Sequence, residues 1–121
     1  MIKSELGRRA ERFGRRAEAW CRLALRLNGY RVVAVRERTP LGEIDLIARR
    51  GDTLAIVEVK ARANVDCAAS ALSVRQQGRL ARAASTWLAR RPEFAGLAVR
   101  FDLMVVSPWR WPRHLTDAWR P

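Results

Sequence analysis

Lysine is nearly missing from this sequence. Of its 24 basic residues only Lys3 and Lys60 are lysines, and the rest are arginines. A coding sequence rich in G and C favours arginine codons, so the bias by itself needs no chemistry. It does single out Lys60, where a compact, tunable amine is kept although arginine serves almost everywhere else. Cysteine is scarce too. Cys21 and Cys67 match no metal or redox spacing and allow no disulfide framework, so two reduced thiols in a cytoplasmic protein are expected. The one histidine, His114, is far in sequence from the carboxylates discussed below and receives no role. No apolar run follows the N-terminal charges of MIKSELGRRAERFGRR, which excludes a signal peptide reading. No stretch approaches the ~20 apolar residues that span a bilayer. Acidic residues number 12 against 24 basic ones, for a formal net charge of +12 and a pI near 11.6. So large an excess in 121 residues points to a polyanionic partner, nucleic acid in preference to an anionic membrane, with a merely solvated basic surface as the plain alternative.

What is present suits one α/β domain over residues 1–121, with 49% hydrophobic residues for a core. Residues 4–28 form a basic helix: Phe13, Ala17, Trp20, Cys21, Ala24 and Leu25 recur at helical spacing, and Gly29 follows as a stop. Glu18 sits in line with Cys21 and Leu25, hence half-buried. The β-branched run over 30–38 is a first strand, 43–49 a second and 53–62 a third, with Arg50-Gly51-Asp52-Thr53 as the turn. Ser73 and Gln76 make a capping box opening a helix over 74–91. Its apolar stripe is Leu80, Ala81, Ala84, Trp87 and Leu88. Residues 97–106 are a fourth strand, and 107–121 an aromatic, basic tail. The order helix, three strands, helix, strand predicts a mixed sheet flanked by helices, with the fourth strand reached by a parallel crossover.

The hairpin over 43–62 carries more charge than its apolar strands explain. With the turn centred between Gly51 and Asp52, Ile47 faces Ile56, Asp45 faces Glu58, and Glu43 faces Lys60; alternation puts Glu43, Asp45 and Ile47 on one face. Asp45 and Glu58 then lie side by side, and like charges so placed need something positive between them. Either Lys60 neutralises one carboxylate, or a divalent cation bridges both, with the Val59 carbonyl as a further ligand. Mg²⁺, with Mn²⁺ as a substitute, suits such hard oxygens. A metal-bound water beside Lys60 would be a hydrolytic centre. The plain alternative is a surface hairpin with paired charges, Glu43 with Lys60 and Glu58 with an arginine. Against it, Leu54, Ala55, Ile56, Val57 and Val59 describe a strand buried on both faces.

The spacing of Asp45 and Glu58-Val59-Lys60 resembles the PD-(D/E)XK nuclease signature. Longer stretches are more specific: GRRAEAW, GEIDLIARRGDTLAIVEVKAR, VRQQGRLARAASTWL, RFDLMVV and a terminal DAW occur in that order. Together they resemble the YraN-like family of small bacterial proteins over about residues 14–119. The resemblance implies a restriction-endonuclease-like fold akin to Holliday-junction resolvases. It implies Asp45 and Glu58 as metal-binding carboxylates, Lys60 as catalytic lysine, and Glu18 as an additional first-helix acid. Glu43 falls in the family's Gly-Glu-Ile-Asp-Leu stretch as support. Arg75 stands where the family usually carries a lysine, which keeps a phosphate contact without a tunable amine. Asp102 matches a family position and is expected to be a salt-bridged or capped strand residue.

Arg75, Arg79 and Arg82 share a helix face suited to tracking a phosphate backbone, as does a solvated face in the alternative; Arg15 and Arg62 are counted with them. Trp109, Trp111 and Trp119 among Arg110, Arg113 and Arg120 could stack bases. Packing of these tryptophans against the body or a second subunit is the reading adopted. The sequence therefore predicts a Mg²⁺-dependent nuclease acting on DNA rather than RNA, with branched or structured DNA in view and a homodimer only by analogy with resolvases. A non-catalytic nucleic-acid-binding module on the same fold is the alternative. A membrane-surface scaffold is disfavoured for want of a lipid-facing helix.

Overall fold

A computed structural model describes residues 5–62 and 72–121. Among these residues the elements are α1 (Glu5–Leu27), β1 (Arg31–Thr39), β2 (Gly42–Arg50), β3 (Thr53–Ala61), α2 (Val74–Ala89), a 3₁₀ turn (Pro92–Phe94), β4 (Ala98–Val106) and β5 (Arg113–Trp119). The strands form one mixed sheet in the order β1-β2-β3-β4-β5. Pairing is antiparallel except between β3 and β4, which are parallel as the intervening helix requires. Cys67, the segment 63–71 and the Phe13 side chain lie outside what is described.

Local chemistry explains the boundaries. α1 ends in a Schellman arrangement: Tyr30 N–H donates to Leu25 C=O and Gly29 N–H to Arg26 C=O, at 3.0 and 3.1 Å. Gly29 takes the left-handed conformation, φ 84°, that this cap needs. The β2–β3 turn uses Gly51 at φ 59°, between the paired residues Arg50 and Thr53. At α2 the capping box forms, with Ser73 accepting from Gln76 N–H and Gln76 accepting from Ser73 N–H.

The sheet is a central layer. On one face α1 contributes Ala17, Cys21, Ala24 and Leu25 to a core with Leu46, Ala48, Ala55, Val57 and Met104. On the other, α2 contributes Leu80, Ala83, Ala84 and Trp87, packed with Ile44, Ile47, Leu54, Ile56 and Phe101. Trp20, expected in the α1 stripe, is instead 51% exposed. The inner faces of β2 and β3 are both covered, which is why these strands read as nearly continuous apolar runs.

The tail is not mere tail. Residues 113–119 form β5, antiparallel to β4. The mixture of tryptophan, arginine and proline hid this edge strand, whose polar residues face solvent. Trp119 stacks on Phe101 with centroids 4.3 Å apart. The β4–β5 register slips between Phe101 and Leu103. At the slip, the fully buried Asp102 receives Asp117 N–H at 2.9 Å, His114 Nε2 at 2.7 Å and the Arg100 guanidinium at 2.8 Å. Asp102 is thus the salt-bridged strand residue expected. His114, given no role from sequence, is one of its partners. Burial alone would raise the Asp102 pKa, but the hydrogen bonds from His114, Arg100 and Asp117 outweigh it and hold the group down at about 2.

Because that value lies below the ordinary 3.8, Asp102 stabilises the fold above pH 3.8 and loses this contribution as pH falls through about 2. The contribution is about 2 kcal/mol. Asp102→Asn is expected to destabilise the protein at pH 7 by about 2–4 kcal/mol, through the abandoned Arg100 charge, and to shrink that acid-dependent loss. Denaturant unfolding at pH 7 and pH 2.5 checks both.

Candidate active site

The β2–β3 register follows the predicted turn, with Ile47 opposite Ile56 and Leu46 opposite Val57. There the ladder stops. Instead of continuing it, Asp45 Oδ2 accepts Val59 N–H at 2.8 Å. The neighbouring strand is irregular at the same level. Arg36 falls between the pairs Val35↔Leu46 and Glu37↔Ile44, hence opposite Asp45, and has φ 48°. Ile44 and Ile47 share the α2-side core while Leu46 lies in the α1-side core. Simple alternation, which put Glu43, Asp45 and Ile47 on one face, therefore breaks across Asp45.

Asp45 and Glu58 lie close enough for each to act on the other's titration. Lys60 Nζ lies 3.5 Å from Glu58 Oε1, both side chains being largely buried. Burial pushes both carboxyl groups up. For Glu58 the charge of Asp45 adds to burial against the relief from Lys60, and its pKa rises to about 7. For Asp45, burial is opposed by the Val59 N–H, by Glu58 and by Lys60. The two groups titrate as a coupled pair, with burial the leading cause of the rise in both.

Glu18, on α1, lies near Asp45 with a side chain 13% exposed. Burial raises its pKa, Arg36 opposes that, and the charges of Asp45 and Glu43 add to it. Arg36 Nε is 3.0 Å from Glu18 Oε1 without hydrogen-bond geometry, so this buried oxygen has no hydrogen-bond partner. Cys21, one turn further along α1, is pushed up to about 12 by burial and by Glu18 and Asp45, which makes it an inert core thiol. Glu43 is more exposed and lies 3.8 Å from Arg38 rather than pairing with Lys60. Val59 enters through its N–H, where the spacing pointed to its carbonyl.

The structure thus gathers Asp45, Glu58, Lys60 and Val59, keeps Glu18 nearby, and leaves Glu43 at the margin. Among the described residues no three acidic, histidine or cysteine side chains stand close enough to hold a metal ion as placed. Arg15, Arg75, Arg79 and Arg82 are exposed, and the Arg79 side chain lies along Gly42 at the β1–β2 turn, at the end of the sheet where the carboxylates sit. Arg62 Nη1 donates to Ala61 C=O at 2.8 Å, and Arg62 N–H ties the end of β3 to Val106. Sequence reasoning missed Arg36. Only its charge inside a β-branched strand hinted at it, and no glycine or asparagine flagged its positive φ.

The model of the uncharacterised protein family UPF0102 matches residues 17–106. The chain belongs to this family. A UPF0102 protein of Parvibaculum lavamentivorans is 61% identical over 115 residues, covering 95% of this chain and 86% of the relative. Another, from Sinorhizobium fredii, is 54% identical over 110 residues, covering 91% and 90%. Among solved structures, Archaeoglobus fulgidus Hjc, a Holliday junction resolvase from an archaeal hyperthermophile, matches with a TM-score of 0.55. Its identity is 19%, over 84% of this chain and 73% of that one. The resemblance to YraN-like proteins and the resolvase-like nuclease fold are thereby shown, with β5 added to the expected order.

One feature of this UPF0102 chain suits a hard cation: its donors at this point are carboxylate oxygens, among them Glu18 Oε1, which is 3.0 Å from Arg36 and has no hydrogen bond among the described residues. In metal-free protein the Glu58 pKa stands above its ordinary 4.5, so the native state binds more protons than the unfolded one between pH 4.5 and about 7. Stability from this group is present below pH 4.5 and is lost as pH rises through about 7. Glu58→Gln should therefore be near neutral at pH 5 and stabilising at pH 8, on the order of 2 kcal/mol. Urea unfolding in EDTA at the two pH values measures the difference.

Proposed function

We propose that this protein is a divalent-metal-dependent nuclease that hydrolyses phosphodiester bonds in DNA, with branched or otherwise structured DNA as the candidate substrate. The observation that carries the reading is the buried Asp45–Glu58 pair, forced together at the open end of the β2–β3 ladder with Lys60 beside it. A fold that only needed stability would not bury two repelling carboxylates there. The resolvase-like fold is consistent with the reading but does not carry it, because one fold hosts many functions.

Asp45 and Glu58 would hold Mg²⁺ or Mn²⁺, with the Val59 carbonyl as a backbone donor and Glu18 assisting from α1. Bound there, the cation would lower the pKa of a water and neutralise charge on the phosphate. Val59 N–H fixes the rotamer of Asp45, so that carboxylate is oriented before anything binds. Lys60 would orient the attacking water and stabilise the negative charge that develops at phosphorus. Arg15, Arg62, Arg75, Arg79 and Arg82 would contact flanking phosphates, which positions the strand without reading its sequence.

A second reading, a DNA-binding module without turnover, is favoured by one observation: no third ligand stands in place beside Asp45 and Glu58 among the described residues. A cleavage screen with Mn²⁺ over linear, flapped, gapped and four-way DNA separates the two. On the nuclease reading one class is cut, and Lys60→Ala and Asp45→Asn each lower the rate by about 10²-fold or more. Calorimetric Mn²⁺ binding should strengthen as pH rises through about 7, where Glu58 ionises, and vanish in Asp45→Asn. Metal binding without cutting of any substrate would leave the binding module. Equal cutting by Lys60→Ala would place the activity elsewhere.

A further inference from the structure

We infer that the aromatic cavity between α1 and the β4–β5 turn is a stacking pocket for an unpaired nucleobase of single-stranded DNA. The inference rests on the nuclease reading, for which it names the state of the substrate near the cut. The cavity, of about 630 Å³, is lined by Arg16, Trp20, Ser107, Trp109, Arg110 and Trp111. That volume lies within the ~300–1,000 Å³ of ligand clefts.

Two observations point to a base. The first is Trp109. Arg110 N–H donates to Ser107 C=O at 3.3 Å, which closes a turn with Pro108 and Trp109 at its centre. Trp109 has φ 62°, at the position such a turn normally gives to glycine or asparagine. It is 103% exposed. A tryptophan in a strained conformation that buries none of its surface contributes nothing to the core, so its indole is available to something outside the chain. The second is the opposite wall. Trp20 and Trp111 pack edge to face with centroids 5.7 Å apart, and each is 51% exposed, so both keep a free surface.

Charge and position identify the occupant. Arg16 and Arg110 flank the aromatic surfaces, as flanking phosphates require, in a chain of net charge +12. Lys60 pairs with Val105, and Val106 and Ser107 follow directly at the carboxyl ends of the parallel strands, so the cavity lies at the same end of the sheet as the candidate active site. Only an unpaired base can enter, because in a duplex both of its faces are covered by neighbours.

The test is fluorescence anisotropy in EDTA, so that nothing is cleaved, with a labelled thymidine dodecamer and an abasic strand of equal length and charge. The thymidine strand should bind about tenfold tighter or more, with the same salt slope for both. Trp109→Ala should reduce its binding to the abasic level, and Trp109→Phe should restore most of it. Trp109 is wholly exposed, so both variants are expected to fold. Equal binding of the two strands, or an inert Trp109→Ala, overturns the inference. So does a Trp109→Ala variant that dissolves a concentration-dependent dimer while binding DNA unchanged, because the pocket would then take a second copy of this chain. Base-dependent binding without cleavage of any substrate leaves the pocket standing and removes the nuclease reading; cleavage without base preference does the reverse.

Discussion

The hydrogen bond from Val59 N–H to the Asp45 carboxylate, 2.8 Å long, organises the functional end of this molecule. It replaces a rung of the β2–β3 ladder with a side chain. By satisfying a backbone donor it lets the two strands part beyond Leu46 and Val57 without leaving an orphaned amide. The gap admits Glu58 beside Asp45, with Lys60 3.5 Å from Glu58. It also makes the two carboxylates unequal, because the Val59 donor opposes at Asp45 the effect that burial has on both. The sensitivity of this pair to pH descends from its burial and from that inequality.

The same device is used a second time. Asp102 takes Asp117 N–H where the β4–β5 register slips, much as Asp45 takes Val59 N–H where the β2–β3 ladder ends. The surroundings make the two sites different. Asp102 is enclosed by Arg100, His114 and Asp117, and its charge is fully compensated. Asp45 sits among Glu58, Glu18 and Glu43, and its compensation is partial. A compensated buried carboxylate is a structural pin, whereas a crowded, undercompensated one is a candidate site. Two acids in similar backbone settings thus part company through their neighbours.

Much of this was legible in the sequence, for identifiable reasons. The hairpin register followed from an Ile47–Ile56 pair and a two-residue Gly-Asp turn, both local and both strongly patterned. The α1 end followed from Gly29, the α2 start from Ser73 and Gln76, and the parallel β3–β4 pairing from the crossover between them. β5 was hidden because an edge strand is held by one neighbour and needs no apolar alternation. Trp20 was misplaced because helical periodicity cannot say how far round α1 the sheet covers. Arg36 and His114 were missed because each gets its meaning from residues remote in the chain.

By itself the sequence determined the elements, the pairing of the central hairpin and the residue types available for chemistry, because these depend on interactions between near neighbours along the chain. Only the tertiary structure decided which acid is compensated by its neighbours and which is crowded by other acids. It alone brought Glu18 of α1 and Arg36 of β1 to the hairpin carboxylates, and α1 to the tryptophans of the β4–β5 turn. Those outcomes turn on burial and on charges that meet through space, and neither quantity exists until the helices have closed over the sheet.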